Sequence, residues 1–280
     1  MAESTTPATP PPSPLSTPEP WDLIRDGYVA ELWEQFSRFA ASALELSELP
    51  EGADVIDVAT GPGTLALQAA RRARRVVGVD FAARMLEALE RRARETGVTN
   101  VEAIQADGQA LPFPDASFDR GYSMFGLIFF PDRGRGFREL RRVLRPGGRV
   151  AVSSWRPFAH VPPLRAAFDA LAELMPELPF GASKAPLGEP EDFELELREA
   201  GFEAVQVHVV AHAETARDPR AFWASMVRSS APFALLRKRL GEERFSKLYA
   251  DVEARLVERF GSGPLELDLQ ALIGLGTKGA

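Results

Sequence analysis

The chain has 280 residues, 45% of them hydrophobic, a formal net charge of −7 and no cysteine. That length allows one large domain or a domain with a subdomain, and the apolar share suffices for a core. The missing thiols exclude disulfides, thiolate zinc sites and cysteine nucleophiles; the acidic balance argues against nucleic acid as partner, and no apolar stretch reaches membrane-spanning length.

Residues 1–20 hold seven of the 23 prolines, which predicts a disordered tail. No basic segment followed by an apolar one precedes the fold, so the expected location is cytoplasmic. From Trp21 the apolar positions Ile24, Tyr28, Leu32, Phe36 and Phe39 recur at helical spacing. Strands are then expected near 54–59, 76–80, 101–105, 118–124 and 148–155, with helices near 64–74, 82–95 and 133–144 between them. This alternation implies an α/β, doubly wound, mostly parallel sheet of Rossmann-like type. Residues 156–188 are proline-rich around one helical stretch, Leu164 to Leu174. A helix follows Pro190, and Val205, Val207 and Val209 alternate as a half-buried strand. Residues 211–264 read as helical, and a last strand is expected from Leu269 to Thr277. The core would thus comprise 21–210 with 265–280, and 211–264 would form a helical lid inserted between the last two strands.

The run Asp57-Val58-Ala59-Thr60-Gly61-Pro62-Gly63-Thr64 reads as a strand, a glycine turn and a helix start. Two glycines two residues apart let a backbone approach a ligand closely, and the helix start aims free N–H groups into the same space. Asp80 ends the next strand nineteen residues later, where an acid suits the two hydroxyls of a ribose. A nucleoside-containing cofactor is the expectation. Gly61, Gly63 and Ala66 also satisfy the dinucleotide pattern, so a nicotinamide-dependent oxidoreductase stays an alternative. A pyrophosphate, however, has little use for an acid at position 57.

Four segments carry a resemblance. They are Asp57 to Thr64; Val79-Asp80-Phe81-Ala82-Ala83-Arg84-Met85-Leu86; Ala106-Asp107-Gly108 with Leu111-Pro112-Phe113 and Ser117-Phe118-Asp119; and Leu144-Arg145-Pro146-Gly147-Gly148. Together they resemble the class I S-adenosylmethionine-dependent methyltransferases, in particular the small-molecule type that includes the ubiquinone and menaquinone C-methyltransferases (methyltransferase type 11). The resemblance implies a seven-stranded sheet with a reversed C-terminal strand, S-adenosyl-L-methionine as cofactor and S-adenosyl-L-homocysteine as product. It implies that Asp80 takes the ribose hydroxyls and that Asp57, with Ala59 and Thr60, organises the turn. Gly61 and Gly63 would approach the methionine part, Phe81 and Met85 would pack near ribose and adenine, and Asp107 with Gly108 would address the adenine. Ser123 would line the cleft near the sulfonium, and Tyr28 would close over the methionine carboxylate.

The fourth strand runs into the apolar stretch Ser123-Met124-Phe125-Gly126-Leu127-Ile128-Phe129-Phe130, without the Asn/Asp-Pro-Pro-aromatic signature of amine-methylating relatives. Phe125, with Phe222, Trp223 and Met226 of the lid, suggests an apolar or aromatic small-molecule substrate with an O, C or N acceptor. His160, just past the fifth strand, is the candidate general base; His208 reads as structural. The three histidines match no metal-site spacing. A cofactor-binding enzyme of specialised metabolism that does not methylate fits the same residues, and the chain would be a monomer or homodimer.

Overall fold

A computed structural model describes residues 13–178 and 185–280. Residues 1–12 of the expected tail lie outside the described residues. The part that follows is ordered: Pro14–Ser16 forms a 3-10 turn capped by the Ser13 hydroxyl, and one long helix, α1, runs Glu19–Leu46.

The alternation then unfolds as β1 (Asp54–Val58), α2 (Ala66–Ala69), β2 (Arg75–Asp80), α3 (Ala83–Thr96), β3 (Val101–Gln105), β4 (Phe118–Met124), α4 (Arg133–Val143) and β5 (Leu144–Trp155). It continues through α5 (Pro162–Leu174), α6 (Pro190–Glu199), β6 (Phe202–Ala216), α7 (Pro219–Ser229), α8 (Ala231–Leu240), α9 (Glu242–Phe260) and β7 (Leu265–Lys278). The strands make one seven-stranded sheet in the order β3-β2-β1-β4-β5-β7-β6. β7 is antiparallel to both its neighbours, and the remaining pairs are parallel. The reversed last strand is therefore present.

Strand side chains alternate between two faces. Ile56, Val77 and Val79 pack with Phe137, Leu140, Phe193 and Leu197 of α4 and α6. Val55, Val76 and Tyr122 pack with Ala40, Ala43 and Leu89 of α1 and α3. α7 to α9 lie between β6 and β7 in the chain and form a third apolar cluster with α5 and the middle of α1. At the amino ends of the strands, away from the turn after β1, Arg145 bridges Asp119 at 2.6 Å and Asp54 at 2.9 Å. Two of the recognisable motif segments therefore meet in an ion-pair network that closes the bottom of the sheet.

Several boundaries depart from the sequence reading. β6 and β7 extend to Ala216 and Leu265, which pair with each other, so residues 211–216 are strand rather than helix. Their small and polar side chains alternate without an apolar stripe, and a full ladder of partners on β7 decides for strand. β5 begins at Leu144 because that residue pairs with Phe118 ahead of an irregularity in the register. α2 shrinks to four residues, and the rest of the expected helix is turns. Among the described residues, no helix is long and apolar enough to cross a membrane.

Candidate functional site

The carboxyl ends of β1, β2 and β4 meet at the glycine turn. Ala59 and Gly61 both have φ near 55°, and Gly63 has φ 86°, so the chain reverses within five residues. A Cβ on Gly61 would meet nothing, whereas one on Gly63 would lie 2.1 Å from the Leu89 side chain. Gly61 thus has open space beside it and lines the cavity described below. Gly63 instead lets the turn pack on α3 and is not among the residues lining the cavity.

Asp80 ties the turn together. Its Oδ2 accepts from Gly61 N–H at 2.8 Å and its Oδ1 from Ala82 N–H at 2.9 Å. Asp57 accepts from the Thr60 hydroxyl at 2.7 Å, while its other oxygen is buried without a hydrogen-bond partner. Burial disfavours the charged form of both acids. Loss of water pushes Asp57 up to about 7; the Thr60 hydroxyl opposes this and the Asp80 charge adds to it. Burial likewise pushes Asp80 up to about 6 against the pull of the N–H groups of Ala82, Gly61 and Phe81. The Tyr28 hydroxyl is held well above its usual range by burial and by the charges of Asp80 and Asp57.

Asp80, Gly61 and Tyr28 border a cavity of about 250 Å³. Its wall takes Ala59 and Gly61 from the turn, Asp80, Phe81 and Met85 from β2 and α3, Asp107 and Gly108 from the loop after β3, Phe125 from the end of β4 and Tyr28 from α1. Nine residues singled out in the sequence therefore converge on one space. Among the described residues, no Lys, Arg or His lines it. The Phe125 N–H donates to Ser153 Oγ at 3.0 Å, and its φ is 57°. Its ring stacks on Trp155 at 4.1 Å and meets Phe36 at 5.0 Å, which in turn stacks on Tyr28 at 5.3 Å. An aromatic wall thus leads away from the cavity.

Other expected residues stand elsewhere. Asp57, Thr60 and Ser123 lie behind the wall, and the Ser123 hydroxyl is fully buried without a hydrogen-bond partner. Phe222 and Trp223 are core: the Trp223 indole donates to the Tyr249 carbonyl at 3.1 Å and meets Phe233 edge-on. Met226 packs against the same cluster. This face of α7 is taken up by α8 and α9, so none of the three lines the cavity. His160 is exposed on a turn after β5, outside the lining residues. Among the described residues, no cluster of His, Asp or Glu could hold a metal ion.

The sequence reading missed Ser16, Trp21 and Gln109, which line the cavity together with Phe129 and Phe130 of the apolar run after β4. Gln109 accepts from the Asp132 N–H at 2.9 Å and donates to Asp107 at 3.2 Å. A glutamine two residues after the loop acid was the available signal. Ser16 was hidden by the proline-rich composition around it.

The family model for the ubiE/COQ5 methyltransferase family matches residues 30–185, more than half of the chain. A demethylmenaquinone methyltransferase of Thermus thermophilus is 43% identical over 122 residues, covering 43% of this chain and 54% of that protein. An uncharacterized Mycobacterium tuberculosis protein is 40% identical over 104 residues, covering 37% and 38%. The chain thus spans about half or less of the length of these curated relatives. The solved structure of the [4+2]-cyclase SpnF superposes with a TM-score of 0.61 at 21% identity, covering 96% of this chain and 98% of that one. That likeness concerns the fold. The motif turn, its paired acids and the extent of the family match lead to one statement: this chain belongs to the ubiE/COQ5 methyltransferase family.

Proposed function

We propose that the cavity holds S-adenosyl-L-methionine and that the protein transfers its methyl group to an apolar or aromatic small molecule. One observation carries the cofactor reading. The cavity presents the buried Asp80, backed by the buried Asp57, with Asp107 exposed at its edge and, among the described residues, no cationic side chain. Buried carboxylates without a counter-charge favour a cationic ligand and oppose a pyrophosphate. The donor set fits as well. Each Asp80 oxygen uses one acceptor site on a backbone N–H and keeps another for a ribose hydroxyl. Asp107 is steadied at Oδ1 by the Gln109 N–H at 2.8 Å, and Oδ2, which the Gln109 side-chain amide reaches at 3.5 Å, keeps a second acceptor site for an adenine amino group. Phe81 and Met85 supply apolar surface to the base, Gly61 an unobstructed backbone, and Tyr28 a neutral hydroxyl for the ligand carboxylate.

When bound, the sulfonium supplies a methyl group already activated for displacement. The chain's task is then alignment of an acceptor and exclusion of water. Positioning of this kind is worth on the order of 7–11 kcal/mol. In this reading the aromatic side of the cavity, Phe125 with Phe129 and Phe130, receives the acceptor, and α7 to α9 cover it as a lid. The test is turnover of methyl-labelled cofactor against phenols, quinols and polar amines. The reading expects a labelled apolar product with one S-adenosyl-L-homocysteine per turnover. Preference for a polar amine would overturn the acceptor assignment. The SpnF likeness keeps a second reading open: product formed without S-adenosyl-L-homocysteine would mean a non-methylating enzyme.

A further inference from the structure

β6 is the last strand of the sheet, so one of its edges has no strand beside it. Its neighbours fix which backbone groups face that edge. In an antiparallel pair, residues alternate between exchanging both hydrogen bonds and turning both groups away. On β7 the Gln270 carbonyl accepts from the Arg156 N–H at 3.1 Å, on the β5 side, so Gln270 turns away from its β6 partner Ala211. Ala211 therefore turns its N–H and C=O to the open edge, and by the alternation Val207, Val209 and Ala213 do the same. An independent contact agrees: the Ala213 carbonyl accepts from the Arg38 guanidinium of α1 at 2.8 Å.

The open stretch is bounded at both ends. Arg38 holds the Ala213 carbonyl and pairs with Glu214 at 2.5 Å. At the other end the register slips between Glu203 and Gln206, and Ala204 has φ 47°. A cationic side chain and a bulge are common protections of a free edge. Between them, among the described residues, no hydrogen bond reaches the edge-facing groups of Val207, Val209 and Ala211. Val209 is 53% exposed, and residues 204–213 hold no Asp, Glu, Lys or Arg in a chain of net charge −7. An uncharged edge rich in β-branched residues is a template for another strand.

We propose that this edge pairs with the same edge of a second copy of the chain, antiparallel and centred on Val209, joining two seven-stranded sheets across a two-fold axis. Val209 then lies opposite its own counterpart and Val207 opposite Ala211. Every edge-facing N–H meets a C=O, each pair exchanging two hydrogen bonds. No like charges oppose one another: the remaining pairs are His208 with Val210 and Gln206 with His212. The ladder also ends by itself, because the next pair, Val205 with Ala213, joins the bulge to the carbonyl that Arg38 holds. A strand of another protein would meet the same backbone groups, but only a second copy matches both stops at once. The two cavities open at opposite ends of the joined sheet.

Sedimentation velocity from micromolar to millimolar concentration, with residue-resolved hydrogen exchange, tests the pairing. The mass should double as concentration rises, and the amides of Val207, Val209 and Ala211 should become protected together. Those of His208, Val210 and His212, which bond β7, should be protected at every concentration. Val209→Pro deletes an edge-facing N–H that β7 does not use, so the fold and its Tm are kept. The dimer loses one bond from each copy, which weakens association by about 5- to 150-fold. Val209→Lys, a second variant on an exposed side chain, sets like charges across the axis and also weakens association. A chain that stays monomeric throughout would overturn the proposal and leave the edge to a strand of a different protein. A dimer whose Val207, Val209 and Ala211 amides exchange freely, or one that both variants leave as tight as the parent, would overturn it too, by placing the contact on another surface.

Discussion

The buried acids make cofactor affinity depend on pH in a calculable way. In the ligand-free protein Asp57 and Asp80 titrate near 7 and 6, chiefly because burial disfavours their charged forms. A cation in the cavity favours both carboxylates in the ionised form. From those two values, both acids are ionised in about one molecule in twenty at pH 6 and about nine in ten at pH 8. Binding should therefore tighten about 20-fold from pH 6 to pH 8 and release about 1.4 protons at pH 6. Titration calorimetry with S-adenosyl-L-methionine at both pH values, in buffers of differing ionisation heat, reads both quantities. Asp57→Asn should cut the change to about twofold, which separates the protein's titration from the ligand's own. The same acids act on stability with a definite sign. Between about pH 4 and pH 7 the folded protein holds protons that the unfolded chain has lost, so ligand-free stability falls as pH rises through that window and then levels. An affinity that changes less than twofold, the same in parent and Asp57→Asn, would refute this reasoning.

Other outcomes follow from packing. A Cβ on Gly27 would lie 2.1 Å from the Arg228 carbonyl oxygen, where α1 crosses α7. Gly27→Ala should destabilise by about 1–3 kcal/mol and lower the Tm in thermal denaturation; an unchanged Tm would show that the helices separate freely. Trp223→Ala should cost about 3–5 kcal/mol of stability while leaving KM near that of the destabilised background. A change in KM without loss of stability would return Trp223 to the substrate site. His160→Ala should leave kcat within threefold, since the imidazole lies outside the cavity lining; a loss of about 10²-fold would reinstate it as the base.

What could be read from the chain follows the range of the forces involved. The glycine turn, Asp80 and the loop acid Asp107 are local in sequence, because strand ends and helix starts set their geometry. Gly61, Asp80 and Asp107 all line the cavity. Ser123 and Trp223 were harder, since a strand end or an amphipathic stripe does not reveal which neighbour covers it. Tertiary packing buries both. Ser16 and Trp21 depended on a contact with Phe129 more than a hundred positions away, and no local pattern encodes that pairing. The extension of β6 to Ala216 was likewise decided by its partner β7.

The most direct test of the central claim is calorimetric titration of the purified protein with S-adenosyl-L-homocysteine and, in parallel, with NADH. A cavity with carboxylates and, among the described residues, no cationic side chain predicts micromolar binding of the first and none of the second. Binding of NADH with no response to S-adenosyl-L-homocysteine would contradict the account and turn the glycine turn and Asp80 into a dinucleotide site.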